Sequence, residues 1–577
     1  LCAGFFYTGF PCKVTPMTSK ITRRKTLAGL SSALLLPVVG RSFAADRPER
    51  SGRFLHGVAS GDPDQHSLVI WTRVSVAADS VAVEWELAED AAFSRVTARG
   101  MASTSGQRDY TVKVLVAGLQ PGRLYFYRFR SGQEYSEVGR TRTLPVGDLS
   151  SLTLAVVSCS NYPFGYFNVY EAIAKDPKVE WVLHLGDYIY EYPQDGWGAE
   201  TGKALGREHV PAGETISLSD YRQRHAQYKA DEQSRMMHAA HPLLVIWDDH
   251  ESANNPWMGG AQNQQSDTEG DWLARRDAAL QAYYEWMPIR DPFPGQRATD
   301  YWRNWRFGNL ASLITLETRH SGRAEQIELW AHARELTDPQ RAEVFMRERV
   351  GAPNRPMLSD AMESFVHDSL CDAQQRGTPW KMLANQVPMA RTLNPHLDPR
   401  DIESLEGEMA EQSYARLQEI ARRGELGLPL YLDPWDGYPW AREAFYDVAK
   451  SCDVRDLLVL TGDSHSFWCN QLFDGSGETM GLELGTTGVT SPGDFLEFGA
   501  RGARLLDESI IAANPEVRWT DGLHNGYLRL TLTPESAQAD FQAVDSVLER
   551  RYMMQTIRSE KLLRDGSALT YWGERAD

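Results

Sequence analysis

A chain of 577 residues is longer than one hydrophobic core usually organises, so two domains, or one large domain with a small companion, are expected. With 60 Lys and Arg against 78 Asp and Glu, the formal charge of -18 excludes a nucleic-acid surface as the main partner, because phosphate backbones demand clustered cations. The same acidic balance fits an exported protein and leaves room for a carboxylate-rich site that binds multivalent cations.

In chain order, Thr22-Arg23-Arg24-Lys25-Thr26-Leu27, a short apolar run to Val39 and Ser42-Phe43-Ala44 before Ala45 read as a twin-arginine signal with a small-x-small cleavage site. Residues 1–44 are therefore expected to be an upstream segment plus signal, with Met17 as the natural start and the mature chain beginning near Ala45. The predicted address is periplasmic or secreted, with the Tat export machinery as a partner. No segment is long and uncharged enough to predict a stable membrane span.

From 54 to 143 the runs alternate, as in Ser67-Leu68-Val69-Ile70-Trp71-Thr72-Arg73 and Leu124-Tyr125-Phe126-Tyr127-Arg128-Phe129-Arg130, with turn signals such as Gln120-Pro121-Gly122 between them. A small all-β sandwich over 50–144 is predicted. After a polar break the pattern changes. Leu152-Thr153-Leu154-Ala155-Val156-Val157, Trp181-Val182-Leu183, Leu243-Leu244-Val245-Ile246 and Leu457-Leu458-Val459-Leu460 are nearly continuous apolar runs, and helical stretches such as 169–175 and 221–240 lie between them. Strands apolar on both faces and separated by helices predict a layered α/β domain over 150–577. The segment 546–565 has helical patterning, which suggests a C-terminal helix over the site or docked as support.

The endings of those four runs carry the chemistry. They lead into Ser158-Cys159-Ser160, Gly186-Asp187-Tyr188-Ile189-Tyr190, Trp247-Asp248-Asp249-His250-Glu251 and Gly462-Asp463-Ser464-His465. Ligands of open α/β sheets gather beyond the carboxyl ends of the strands, so these residues are candidates for one site. Taken singly, Cys159 fits a small buried hydrophobe, Asp187 a turn residue and His465 a hydrogen-bonded core histidine. Four such endings at matched positions favour a shared cation site, since clustered acids without a cation repel one another. Of the six cysteines, Cys2 and Cys12 fall in the removed segment; Cys159, Cys371, Cys452 and Cys469 show no zinc-type spacing, and the sequence does not say which of them pair.

The motifs resemble those of PhoD-type alkaline phosphatases, metallophosphoesterases related in site design to purple acid phosphatases. Gly57-Val58-Ala59-Ser60-Gly61-Asp62-Pro63 and Trp71-Thr72-Arg73 resemble the family's N-terminal domain; SCSNYPFGYF from Ser158, HLGDYIYEY from His184, WDDHE from Trp247, NQVPMA from Asn385, WDGYPW from Trp435 and LTGDSH from Leu460 resemble its phosphatase domain. The implied fold class is α/β, a layered metallophosphatase domain with mixed sheets covered by helices, preceded by an immunoglobulin- or fibronectin III-like sandwich. The resemblance implies that Asp187 bridges two metals and that Cys159, Tyr190 and His465 complete a ferric iron shell. A phenolate and a thiolate independently suit a highly charged transition metal. It also implies calcium on Asp187, Asp249 and Asp463, with Asn254 or Asn255 as a further oxygen donor. Closed tetrahedral zinc ligation is disfavoured.

The expected reaction is hydrolysis of phosphate mono- and diesters by a metal-activated water, without a covalent intermediate. His250 either protonates the leaving oxygen or supports Asp249 from behind. Arg319 is a candidate for a bidentate contact with substrate phosphate, although Glu317-Thr318-Arg319-His320-Ser321-Gly322-Arg323 departs from the family's aspartate-x-arginine-x-tyrosine-arginine pattern. Two alternatives remain: a phospholipase D-type phosphodiesterase on the same metals, and a non-catalytic surface binding protein stabilised by metal.

Overall fold

The computed structural model describes residues 53–566 and 568–571, so the predicted twin-arginine segment lies outside the described residues. The alternating N-terminal runs form a sandwich. In one sheet Ser80–Ala88 lies between Val96–Ser105 and Leu124–Ser131; in the other Ser67–Arg73 lies between Val58–Gly61 and Thr111–Ala117. Val81, Val83, Tyr125, Tyr127 and Phe129 point inward against Val58, Leu68, Ile70 and Val112, which is what the period-two pattern requires.

The sandwich is not sealed from the second domain, because Gly61 pairs in parallel with Leu243 and makes its three-stranded sheet the edge of a ten-stranded one. A Cβ at Gly61 would stand 2.6 Å from the Leu243 carbonyl oxygen, so the seam requires glycine. Asp62 reinforces it from the adjacent position, accepting hydrogen bonds from the Arg303 Nε and the Arg290 backbone N–H.

Beyond the seam the layers are helix, sheet, sheet, helix. Strands Leu152–Val157, Trp181–His184 and Leu243–Val245 run parallel and adjacent in the first sheet. A seven-stranded second sheet holds Ala311–Thr315, Trp380–Ala384, Leu457–Thr461 and Thr479–Gly485 in parallel. Leu154, Val156, Leu183 and Leu244 meet Leu313, Met382, Leu458 and Leu482 between the sheets. On the outer face of the first sheet, Ala155, Val157, Val182 and Val245 pack under Val169, Ile173, Tyr221 and Tyr283. Burial on both faces is why these strands read as continuous apolar runs rather than alternating ones.

The C-terminal segment corrects the sequence reading. Met554–Asp565 is not a helix but a strand, paired antiparallel with Ser536–Val544. The register slips where Arg558 opposes Phe541 and Thr556 opposes Gln542, leaving Ile557 as the bulged residue. One extra residue breaks the period of two, and the apolar positions then mimic helical spacing. The cysteine pairing that the sequence left open is Cys371 with Cys452; Cys159 and Cys469 are buried thiols.

Candidate metal centre and active site

The carboxyl ends of the two sheets meet where Ser158 bridges to Gly488, so loops following strands of both sheets converge. Each loop must turn sharply as it leaves its strand. Cys159, Asp187, Asn255, Asp463 and His465 all take the left-handed backbone, with φ of 60°, 54°, 47°, 63° and 52°. For residues with a Cβ this costs about 1 kcal/mol or more each, and such strain concentrates where side chains are aimed for function. Gly186, at φ 105°, lets the loop of Asp187 press onto that of Asp249: a Cβ there would stand 2.4 Å from the Asp248 Cβ.

Three groups of possible ligands overlap at this point among the described residues: Cys159, Asp187 and His465; Asp187, Asp249 and His250; and Asp248, Asp249 and Asp463. Within each, one ligand atom per residue lies within 4.8 Å of the others. Tyr190 Oη donates to Asp187 Oδ2 at 2.8 Å, lies 3.4 Å from His465 Nε2 and accepts from Ser491 Oγ. The residues singled out from sequence are thus brought together, with Asp187 in two of the groups and Asp249 in two.

Buried acids hold the loops in register. Glu251 accepts the backbone N–H groups of Asp187, Tyr188 and Asp248 at 3.0, 2.6 and 2.7 Å, tying the two loops to one carboxylate. Glu191 Oε2 lies 2.6 Å from His250 Nδ1, and its other oxygen accepts the Asn254 N–H. His250 is therefore anchored through Nδ1, while its ring stacks on Tyr190 at 4.2 Å. Asn255 donates its backbone N–H to Asp249 Oδ2.

Arg319 corrects an expectation. Its guanidinium is fully buried, with Nε 2.5 Å from Asp248 Oδ1, Nη1 bidentate on Asp433 and Nη2 3.1 Å from Asp463 Oδ1. Protein carboxylates consume its donors, so it orients the acids instead of presenting a fork to substrate. Asp433 is shared with Arg323, four residues further along the same loop.

The donor set fits multivalent cations. Asp248 Oδ2, Asp249 Oδ1, His250 Nε2 and Asn255 Oδ1 are buried and make no hydrogen bond with any described residue, an expense that folded proteins rarely carry without a ligand. Burial, compounded by Asp249, pushes Asp187 well above the carboxylate range, and burial also raises Asp248 and Asp463 despite Arg319. Burial opposes protonation of His250, yet Asp249, Glu191 and Asp187 lift it to about 10. Burial would likewise raise Asp249, but the His250 and Arg319 charges hold it well below the usual range. Acids that repel one another to this extent need positive charge, and Arg319 and His250 supply only part of it.

Sequence reasoning gave no separate role to Asp248 and Glu251, which stand inside a stretch already singled out, and passed over Glu191 and Asp433, inside or beside other such motifs. It also missed Trp197, whose ring lies parallel to that of His465, 5.8 Å away, and 5.9 Å from Tyr190. Nothing in the local pattern of the 193–198 loop marks that residue, because its contact is made across the fold.

Comparison with known proteins agrees with this construction. A family model described as PhoD-like phosphatase matches residues 154–541, and one described as PhoD-like phosphatase, N-terminal domain, matches 40–145. Alkaline phosphatase D of Bacillus subtilis (strain 168) is 32% identical over 561 residues, spanning 94% of this chain and 87% of that protein. A solved structure titled "Structure of PhoD" superimposes with a TM-score of 0.73 at 31% identity, covering 90% of this chain and 92% of that one.

Proposed function

The chain belongs to the PhoD-like phosphatase family, and from that premise we propose that this phosphoric ester hydrolase cleaves phosphate mono- and diesters by direct attack of water at a centre holding ferric iron and calcium. The observation that carries the reading is the position of Asp187, whose carboxylate belongs both to the group with Cys159 and His465 and to the group with Asp249 and His250. Cys159, Tyr190 and His465 offer the sulfur, phenol and imidazole that suit iron. Asp249, Asp463 and Asn255 offer hard oxygens that suit calcium, with Asn255 favoured over Asn254 because the Asn254 amide oxygen already accepts from Tyr192 Oη. When bound, such a pair of ions withdraws charge from the phosphoryl oxygens and lowers the pKa of an attacking water.

The chain's own groups do the remainder. His250, held through Nδ1 by Glu191, keeps Nε2 for the oxygen of the departing alcohol. Glu251 fixes the spacing between the loops of Asp187 and Asp249, and Arg319 fixes the rotamers of Asp248 and Asp463. Twin-arginine export of the folded chain to the periplasm or beyond, read from Arg23-Arg24 and the cleavage site at 42–45, would carry a centre assembled before translocation. No helix among the described residues is long and apolar enough to cross a membrane.

The test joins elemental analysis to activity. Purified protein should contain iron and calcium and be coloured by charge transfer from tyrosinate or thiolate to iron. Asp187→Asn should stay folded while losing both metal and more than about a hundredfold in aryl phosphate monoester and diester hydrolysis. Full activity in iron-free protein, or in Asp187→Asn, would overturn the assignment.

A further inference from the structure

A second cluster of metal-type ligands lies away from the centre, where helices Asp360–Gln375 and Pro439–Ser451 pack together. We propose that His367, Cys371 and Cys452 form a redox-gated metal site: oxidised, the two cysteines are a disulfide; reduced, the three side chains bind a zinc-class divalent ion.

His367 and Cys371 are four residues apart on one helix, hence on one face and one turn apart, the spacing by which helices present pairs of metal ligands. Cys452 arrives from the C-cap of the second helix and is joined to Cys371. One ligand atom from each of the three residues lies within 4.8 Å of the others. His367 Nε2 stands 3.6 Å from Cys371 Sγ. Tetrahedral zinc, with Zn–S near 2.3 Å and Zn–N near 2.0 to 2.1 Å, separates a nitrogen and a sulfur ligand by about 3.5 Å and two sulfurs by about 3.8 Å. The nitrogen is therefore already at ligand spacing from Cys371 Sγ, and reduction frees the two sulfurs, bonded in the oxidised form, to move apart to the sulfur spacing.

The imidazole is also oriented for the task. His367 Nδ1 lies 3.1 Å from Asp368 Oδ1, a carboxylate behind the ring that directs Nε2 at the sulfur, as in carboxylate–histidine–zinc arrangements. The His367 side chain is 46% exposed, so an ion and a water for the fourth position can enter from solvent. The chemistry balances. A phosphine reductant and one water convert the disulfide to two thiols and a phosphine oxide; the ion then displaces the two thiol protons into solvent and binds two thiolates and a neutral imidazole. The bond between the helices is thereby replaced by a coordinate link, and the chain stays tied in a reducing compartment as well as an oxidising one.

The experiment uses the purified full protein with its catalytic metals, and Co2+ as the probe. After treatment with tris(carboxyethyl)phosphine, the protein should bind one more equivalent of Co2+ than the untreated protein, with thiolate charge transfer in the near ultraviolet and ligand-field bands in the visible. The Cys371→Ser/Cys452→Ser variant, treated alike, should show no gain, which separates this signal from any arising at Cys159. His367→Ala should weaken the reduced site by at least about tenfold. Added Zn2+ should bleach the cobalt bands and raise the thermal midpoint of the reduced protein only. Equal cobalt uptake by reduced and untreated protein overturns the proposal, as does undiminished affinity in His367→Ala.

Discussion

Replacing Glu251 with glutamine tests how the centre is held open at the correct width. The wild-type carboxylate accepts three buried N–H groups, from Asp187 and Asp248 on one oxygen and from Tyr188 on the other. An amide offers a carbonyl to one side and an N–H to the other, so at least one backbone donor must face another donor. Leaving one buried N–H unpaired costs about 1–3 kcal/mol, and the loss of charge on the remaining acceptor adds to it; removing a buried charge offsets part of the sum. A local cost of about 2 kcal/mol corresponds to roughly 30-fold faster opening of the two loops. The assay is hydrogen exchange read by mass spectrometry on peptides spanning 184–192 and 245–252, which avoids treating a two-domain chain as a two-state unfolder. Metal affinity should fall together with amide protection, by about 10- to 100-fold, because Asp187 loses its anchor. Exchange in both peptides within about threefold of wild type would refute the claim that this carboxylate sets the loop spacing.

Gly186→Ala should cost more than about 3 kcal/mol and lower metal content, since its Cβ would meet Asp248 Cβ and N at 2.4 Å on a backbone with φ 105°; unchanged metal content would count against the close approach. Cys371→Ser/Cys452→Ser removes a crosslink across a sequence separation of 81 and should lower stability by up to about 4 kcal/mol in metal-free buffer, read as the denaturant midpoint. Burial, then Asp521, pushes Asp507 up to about 8. Because the folded pKa lies above the unfolded one, the contribution of Asp507 is complete below about pH 4 and is lost as pH rises through about 8. Asp507→Asn should therefore gain about 2 kcal/mol on wild type between about pH 5 and about pH 9, once the partial exposure of the group is discounted, and parallel stability curves would contradict this.

Much of the site was legible because each ligand-type side chain follows directly on an apolar run. Val157 into Cys159, His184 into Asp187 and Leu460 into Asp463 are local patterns, and a strand that ends in a turn aims its next residues at the sheet's carboxyl edge whatever the remainder of the chain does. Arg319 was misjudged for the opposite reason. Its partners Asp248, Asp433 and Asp463 are 71, 114 and 144 residues distant, and an arginine fork fits a carboxylate as well as a phosphate. The bulge at Ile557 hid a strand, and the Cys371–Cys452 pairing followed no spacing rule.

The succession of a β-sandwich and a layered α/β domain, and the acidic, ligand-type residues that end the central strands, were written locally in the chain, because hydrophobic periodicity and residue type act over a few positions. Long-range packing brought the sandwich into one sheet with the second domain through Gly61 and Leu243, joined two loops on Glu251, and spent Arg319 on protein carboxylates. Those outcomes depend on which strands become neighbours and which buried groups must satisfy one another, and such pairings are settled by packing across the whole fold rather than by any stretch of chain.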